Sequence, residues 1–449
     1  MNRQLNKENL PVNDLWRFLP DPHGDGEKLG FWKADFDTRL WREVMVPSCF
    51  EVGGPNFDCY EGIGWYQRTF RLPAAWRSRR VVLRFEAVNY RAKVWLNGKL
   101  LGQHADGFLP FEFEVGDQAR WDNDNVLAVS VDNTPCDEDV PGRHVGWRGY
   151  GGILREVSLS ATDLLHIADL NVVATPNANG GHVECRINLR NNRSVPANAV
   201  LDVVIHNASG KAVATLDQRA VRVAPGESAG IVISGILADV GTWSPTTPVL
   251  YQAVVRLTEQ NKIVDTVDTK LGFRRVEATS AGLLLNGQPI FLTGFNRHED
   301  SPRNAMATDL ETTRRDLEQI KEAGANFVRL CHYPHHPAEL DMCDELGLLV
   351  MCEIPLYKGD TPPPTNAVRV AVAGRQLKSL IARDANHPSV IFWSVSNETS
   401  DQKPEVAESN RALIRLARAL ALMDGRDFVT ADDIKSLVLP VLHHRITLD

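Results

Sequence analysis

The sequence lacks the features that would place it in a membrane, on nucleic acid or in a secretory pathway. Its apolar runs all fall short of the roughly 20 residues that span a bilayer, and its opening stretch, MNRQLNKENLPVNDLW, has no apolar core of the kind a signal peptide needs. A formal net charge of −8 disfavours nucleic acid and anionic membrane surfaces as partners. We therefore expect a cytoplasmic protein that binds neither nucleic acid nor a membrane.

Metal and disulfide motifs are also absent. The seven cysteines, at positions 49, 59, 136, 185, 331, 343 and 352, are odd in number and form no Cys-x-x-Cys pair. This spacing favours buried free thiols in a reducing compartment over a disulfide framework or a metal centre. The five histidines between positions 298 and 387 form no His-Glu-x-x-His motif. We predict no metal and no other cofactor.

The chain length and the hydrophobic patterning predict several folded units. A chain of 449 residues suggests about three domains, and its 43% hydrophobic content is typical of a globular protein. Short alternating runs and the hairpin signal Asn97-Gly98 indicate an antiparallel β-sandwich over residues 1–163. Alternation continues with few aromatics, which predicts a smaller immunoglobulin-like β-sandwich over residues 164–275, with a spacer role.

A loop rich in aromatic residues and glycine follows the strands of the first sandwich. It contains Trp147, Arg148 and Tyr150 beside three glycines. Exposed aromatics and an arginine would suit contact with a ligand, and packing against a neighbouring domain explains the loop equally well. Both interpretations stay open.

After residue 275, apolar strands alternate with helices, including one near 366–385, and this predicts parallel βαβ units. Polar groups end four successive strands, and in a (β/α)₈ barrel the carboxyl ends of the strands carry the chemistry. These groups are Asn296, Arg297, His298 and Glu299, then His332 and Tyr333, then Glu353, and then Asn397 and Glu398. The pattern favours a functional site over chance, although His332 and Tyr333 could simply cap a strand. We expect His335 and His336 to be exposed loop residues rather than ligands.

Several segments resemble glycoside hydrolase family 2, the β-galactosidase, β-glucuronidase and β-mannosidase group. The barrel segments are GFNRHED, NFVRLCHYPHHPAELDMCDELGLLVMCE and NHPSVIFWSVSNE, and WRGYGGILREVSL is similar to part of the family's sugar-binding sandwich. The sequence departs from the family pattern at Leu330, where a small residue is usual. The resemblance implies a jelly-roll sandwich, an immunoglobulin-like sandwich and a TIM barrel, with a β-linked carbohydrate as the partner.

The resemblance also implies a retaining mechanism that uses two glutamates. An acid catalyst must stay partly protonated, which apolar surroundings and a neighbouring carboxylate promote, and a second carboxylate about 5–5.5 Å away attacks the anomeric carbon. The residues that match family positions are Glu398 as the acid/base, Asn397 as the group that binds the sugar 2-hydroxyl, His298 and His332 as the lining of the sugar subsite, Arg329 as the group that orients the carboxylates, and Glu353 as an ordering carboxylate.

The second catalytic glutamate has no match in the sequence. After Glu398 only Glu405 and Glu408 remain, and both lie in a helical stretch. A barrel of this type needs about 200–250 residues, whereas 175 residues lie between 275 and 449. We therefore expect an incomplete TIM barrel over 276–415, with its first and fourth strands as open edges, no nucleophile and negligible turnover. A nucleophile from another subunit, in a homo-oligomer, and a non-catalytic carbohydrate-binding or interaction protein are the alternatives.

The end of the sequence predicts a helical tail over residues 416–449. Asp424-Gly425 would end one helix, and Thr430 would begin the next as an N-cap. The last 30 or so residues resemble the lid helices of MoxR-type AAA+ ATPases, but the sequence has no G-x-x-x-x-G-K-[ST] phosphate loop, so no ATPase activity follows. A junction near 411–420, from a gene fusion or an assembly artefact, would explain this tail. Divergence within the family is the alternative.

Overall fold

The protein is described by a computed structural model that covers residues 3–4, 8–53, 59–280, 282–357, 367–399, 404–423 and 429–430. Across these ranges, none of the helices combines the length and the apolarity that a bilayer crossing requires. The described cysteines are all free, and five of the seven are buried.

The first unit is a β-sandwich of one six-stranded and one four-stranded antiparallel sheet. Trp16, Phe18, Leu83, Val94 and Val129 are among the side chains that fill the space between the sheets. In spatial order the larger sheet contains Lys99–His104, Arg91–Leu96, Asn125–Asp132, Ile63–Phe70, Asp14–Asp21 and Arg42–Val46. The smaller sheet contains Phe111–Glu114, Arg80–Phe85, Val157–Thr162 and Glu8–Pro11. Shorter elements are the strands Ser48–Cys49, Gly152–Ile153 and Val88–Asn89, the helix Gly26–Leu29, and the 3₁₀ turns Phe50–Gly53 and Ala74–Trp76.

The predicted hairpin at Asn97-Gly98 is confirmed. Asn97 has a φ of 53° and Gly98 a φ of 81°, as the two central residues of a type I′ turn require. Leu96 pairs with Lys99 across this turn. The hairpin places its strands at one edge of the larger sheet.

The second unit is also a β-sandwich. Its core holds Leu189, Leu201, Val255 and Phe273. One sheet contains Lys262–Leu271, Tyr251–Glu259, Ala197–Asn207, Ala212–Thr215 and Arg219–Val223, with Arg3–Gln4 at its edge. The other sheet contains Leu165–Asn177, Gly180–Asn191 and Ser228–Leu237, and a separate two-stranded ribbon joins Trp243–Ser244 to Thr247–Pro248.

The third unit begins with a small antiparallel sheet and continues as a parallel sheet with helices between its strands. The small sheet comprises Val276–Thr279, Gly282–Leu285 and Gln288–Pro289. The parallel strands are β1 (Gly294–Arg297), β2 (Phe327–Leu330), β3 (Leu349–Glu353), β4 (Val390–Ser394) and β5 (Val429–Thr430), in that spatial order. The helices are α1 (Leu310–Glu322), α2 (Pro337–Leu346), α3 (Ala367–Asp384) and α4 (Pro404–Met423).

The strand β5 corrects the prediction of a tail that is helical throughout. Phe392 pairs in parallel with Val429, and Trp393 with Thr430, so Thr430 is not a helix N-cap. The β-branched residues Val429 and Thr430 favour extended backbone, and their pairing covers Phe392 and Trp393 on the edge of β4. The expectation that β4 is an open edge is therefore also wrong. Residues 424–428 and 431–449, where most of the MoxR-like resemblance falls, lie outside the described residues.

Candidate active site

Glu353, the last residue of β3, lies at the centre of a hydrogen-bonded network at the carboxyl ends of the strands. Its side chain is fully buried, and Arg329 from β2 donates to both of its oxygens, with Nη2 at 2.7 Å from Oε2 and 2.9 Å from Oε1. His332 Nδ1 lies 2.8 Å from Oε1, and Ser394 Oγ at the end of β4 donates to Oε2 at 2.7 Å. Both carboxylate oxygens are thus engaged within the protein.

Arg329 extends the network to the predicted sugar-binding amide. Its Nη2 donates to Asn397 Oδ1 at 2.7 Å, and the Asn397 backbone N–H donates to Leu356 O at 2.8 Å. Because Oδ1 accepts from a permanent cation, the side-chain amide of Asn397 is oriented with its NH₂ group free to donate elsewhere. The structure therefore brings Arg329, Glu353, His332 and Asn397 together, as the shared edge of a parallel sheet requires.

Glu398 follows Asn397 directly and differs from it in two respects. Its side chain is exposed, whereas Asn397 is buried, and its φ of 49° lies in the left-handed region, which is uncommon outside glycine. Backbone outliers of this kind cluster at functional sites. The exposure differs from the apolar enclosure that we expected around an acid catalyst.

An aromatic wall covers the network, and one of its members comes from the first sandwich. The ring of Trp147 stacks on His332, with 5.4 Å between centroids, and meets Tyr357 edge-on at 5.3 Å. His298 lies 5.1 Å from the His332 ring, and its Nδ1 is 3.4 Å from Tyr333 Oη. Burial, together with the nearby His332, lowers the pKa of His298, so its imidazole is neutral at pH 7 and suits hydrogen bonding to a hydroxyl. The structure thus shows that the Trp147 loop packs against the neighbouring unit.

A buried ion pair holds this loop's domain on the third unit. Arg155 Nη2 lies 2.7 Å from Glu299 Oε2 and donates to Pro334 O at 2.8 Å, while Nη1 donates to Phe108 O at 2.9 Å. Phe108 in turn stacks on Tyr333, with centroids 4.5 Å apart. The sandwich and the strand ends of the sheet are therefore joined through polar and aromatic contacts beside the site.

His335 and His336 are not the exposed loop residues that we expected. His335 is buried, with Nδ1 3.0 Å from Glu339 Oε2 and Nε2 2.9 Å from Cys331 O. His336 caps α2, because its Nδ1 accepts from the Ala338 N–H at 3.0 Å. Both histidines are needed to satisfy polar groups where α2 begins, which local sequence does not reveal.

Three potential metal ligands lie close together beside the network. Ligand atoms of His298, Cys331 and His332 fall within 4.8 Å of one another. The Cys331 thiol donates to Arg297 O, however, and burial raises its pKa to about 11. A soft metal binds the thiolate rather than the thiol, so this arrangement disfavours a metal at neutral pH.

Sequence reasoning missed two members of the site. Ser394 donates to Glu353, and Tyr357 contacts both Trp147 and His332. Ser394 is the last residue of its strand and could have been found by the strand-end rule. Tyr357 lies four residues beyond β3, and no pattern in the sequence points to it.

Comparison with known families accounts for nearly the whole chain. Residues 5–163 match the sugar binding domain of glycosyl hydrolases family 2, residues 165–274 match a model described simply as glycosyl hydrolases family 2, and residues 276–433 match the family's TIM barrel domain. The chain belongs to glycoside hydrolase family 2. The family's barrel domain thus includes β5, which lies beyond the predicted barrel boundary at residue 415.

Relatives within family 2 include enzymes named for two different sugars. The chain is 30% identical over 442 residues to a β-galactosidase of Thermoanaerobacter pseudethanolicus, covering 92% of this chain and 55% of the relative. It is 27% identical to a β-glucuronidase of Paenibacillus borealis, covering 93% of this chain and 72% of the relative. Its fold matches the crystal structure of a Bacteroides uniformis β-glucuronidase with a TM-score of 0.85 at 28% identity, covering 95% of this chain and 52% of that one. The chain spans about half the length of the first two curated relatives it matches.

Proposed function

We propose that this chain carries the sugar-binding and acid/base elements of a retaining β-glycosidase that acts on terminal β-linked sugars. The observation that supports the proposal best is the network of Arg329, Glu353, His332 and Asn397 beneath Trp147, with Glu398 next in the chain. In this proposal Glu398 protonates the leaving oxygen, and its exposure gives it access to a ligand above the strand ends.

The neighbouring residues position the sugar. The NH₂ group of Asn397 would donate to the 2-hydroxyl, because Arg329 already occupies its carbonyl oxygen. His298 and His332 would bind hydroxyls as hydrogen-bonding groups, and Trp147 would present a rim to the apolar face of the ring. Arg329 and Glu353 would hold these groups in position rather than contact the sugar, because the two side chains pair with each other.

The nucleophile is proposed to lie outside these 449 residues. Glu353 is unsuited to attack an anomeric carbon, because Arg329, His332 and Ser394 engage both of its oxygens. Glu408 is exposed on α4, and Glu405 belongs to the same helix. We therefore propose that the chain alone turns over β-glycosides negligibly.

Turnover and covalent capture test the catalytic proposal. The purified chain is incubated with aryl β-galactoside and aryl β-glucuronide, and with the matching 2-fluoro glycosyl fluorides, and its mass is then measured. We expect no aryl release above background and an unchanged mass. A stable glycosyl adduct would show that the chain has a nucleophile, and peptide mapping would identify the residue.

Binding of a basic sugar mimic tests the role of Glu398 without requiring turnover. Isofagomine is cationic at neutral pH, and its ammonium group should pair with the acid/base carboxylate. We expect Glu398→Gln to weaken binding about tenfold, since hydrogen bonds to charged groups contribute about 1.5–3 kcal/mol. Glu408→Gln removes an exposed glutamate from α4 and is the matched control. Equal affinities for the two variants would contradict the assignment.

A non-catalytic carbohydrate-binding role is the second candidate. It is favoured by the engagement of both Glu353 oxygens within the protein, because a carboxylate held in this way does not act as a nucleophile. Retention on an immobilised β-linked polysaccharide, combined with no release of sugar, would support this role over catalysis.

A further inference from the structure

The strand Ser228–Leu237 forms one edge of the second sandwich. It pairs with Gly180–Asn191 on one side and is the outer strand of its three-stranded sheet. Among the described residues, no strand pairs with its other side. At about 3.3 Å per residue the strand is about 33 Å long, so this edge offers a long row of backbone N–H and C=O groups to another strand.

This edge has none of the features that usually prevent pairing with another chain. Natural edge strands are commonly short or carry charged residues or proline. The sequence of this strand is SAGIVISGIL, which has neither charge nor proline, and Val232 and Ile236 are exposed on its outer face. The outer strands of the first sandwich follow the usual rule, because they carry Glu8, Pro11, Arg42, Glu43, Lys99, Glu112 and Glu114.

The order of large and small residues makes this strand complementary to itself. Two copies that pair antiparallel about Ile233 bring residues of the same face opposite each other, because the residues equally distant from the centre differ by an even number. A register centred on Val232 would instead place Gly230 opposite Ser234 and leave a gap between them. In the register centred on Ile233, each large side chain faces a small one: Val232 faces Ser234, Ile236 faces Gly230, Ile231 faces Gly235, and Leu237 faces Ala229.

Charges on the neighbouring strand favour the same register. Arg186 lies beside Val232 and Glu184 beside Ser234 on the outer face of the sheet. Pairing about Ile233 therefore places Arg186 of one copy and Glu184 of the other at the two ends of one row of side chains. A register centred on Val232 would place Arg186 of both copies in one row, which is less favourable because the two charges are alike.

We propose that the chain forms a two-fold symmetric dimer in which the Ser228–Leu237 strands of two copies pair antiparallel about Ile233. Such a contact is isologous, because the same surface of both copies forms it, and it joins two three-stranded sheets into one continuous sheet. The interface lies in the second sandwich and includes none of the residues assigned to the proposed active site.

Sedimentation velocity of the full chain tests the proposal. A single pair of strands buries less than the roughly 800 Å² per partner of a typical stable interface, so we expect the dimer fraction to rise between about 1 and about 100 µM. Val232→Lys should weaken dimerisation about tenfold, because symmetry introduces the lysine twice into an uncharged edge. Ile236→Lys, at a second exposed position, should act in the same direction. Val213→Lys changes an exposed valine in the opposite sheet and is the matched control, which should dimerise as the unmodified chain does.

A double variant tests the register. Val232→Lys/Ser234→Glu places the new lysine of each copy opposite the new glutamate of the other, so dimerisation should return towards that of the unmodified chain. Thermal unfolding should be similar for all these variants at a concentration where the chain is monomeric, because the substituted side chains are exposed. A chain that stays monomeric over the whole concentration range would overturn the proposal, as would equal effects of Val232→Lys and Val213→Lys. Failure of the double variant to restore the dimer would overturn pairing about Ile233.

Discussion

The ion pair between Arg155 and Glu299 is the contact whose loss we expect to loosen the sandwich from the barrel. Only 3% of the Arg155 side chain and 6% of the Glu299 side chain are exposed. In Arg155→Met the apolar stem is kept and the charge is removed. Glu299 then stays buried with the His336 N–H as its neighbouring donor, at 2.7 Å.

The size of the effect follows from the burial. Removal of one partner of a buried ion pair costs about 3–5 kcal/mol, because the other charge is left uncompensated. If local opening limits exchange, this cost predicts amide hydrogen exchange that is faster by two to three orders of magnitude or more in nearby segments. The exposed pair between Arg77 and Asp122, with 55% and 78% exposure, should contribute less than about 1 kcal/mol.

The assay is hydrogen exchange followed by mass spectrometry of the peptides that contain Phe108 and residues 327–336. Arg155→Met should accelerate exchange there, and Arg77→Met should not. The double variant Arg155→Met/Glu299→Gln should lose less stability than the sum of the two single variants, because no buried charge is left. Exchange in Arg155→Met that matches Arg77→Met would refute the reasoning.

Three further predictions concern separate parts of the chain. Trp147→Ala should weaken isofagomine binding by up to about tenfold, since aromatic stacking contributes about 0.5–1.5 kcal/mol. Trp147→Phe should retain most of the affinity. An unchanged affinity for Trp147→Ala would show that Trp147 does not contact the ligand. Burial, assisted by Arg80, lowers the pKa of His166 from 6.5 to about 4, so stability should be complete above pH 6.5 and fall by up to about 3 kcal/mol as the pH decreases to 4. Urea titrations should show a flatter pH dependence for His166→Gln, and an identical profile would contradict this assignment. Asp309 caps α1 by accepting from the Thr312 N–H at 2.8 Å, so Asp309→Ala should destabilise the barrel by about 1 kcal/mol in thermal unfolding while Asp309→Asn should not.

Much of the fold could be predicted because its elements have strong periodicity. The helix expected near 366–385 is Ala367–Asp384, and the Asn97-Gly98 turn needs only local chemistry. The proximity of Arg329, Glu353 and Asn397 also follows from sequence, because parallel strands bring their carboxyl ends to one edge. Their individual roles were implied by family resemblance and stay predictions.

Other features depend on contacts between residues far apart in the chain. Trp147 reaches His332 across 185 positions, and the loop pattern did not distinguish a ligand contact from domain packing. His335 is buried in contact with Glu339 and the Cys331 carbonyl, and nothing in the local sequence shows these contacts. Val429 and Thr430 follow a helical stretch, and pairing with β4 outweighs that local pattern. These outcomes are set by tertiary contacts, which single-sequence periodicity does not contain.

Because Trp147 belongs to the first sandwich, the proposed proton donor and one wall of the site come from different domains. The proposed proton donor belongs to β4 and its following loop, while one wall of the site comes from a sandwich that ends more than 200 residues earlier in the chain. Substitutions in the loop around Trp147 can therefore reshape what fits above the strand ends while Arg329, Glu353 and Asn397 keep their mutual contacts. Exchanging this loop between relatives would therefore test the proposed sugar-binding role of the wall without altering the network beneath it.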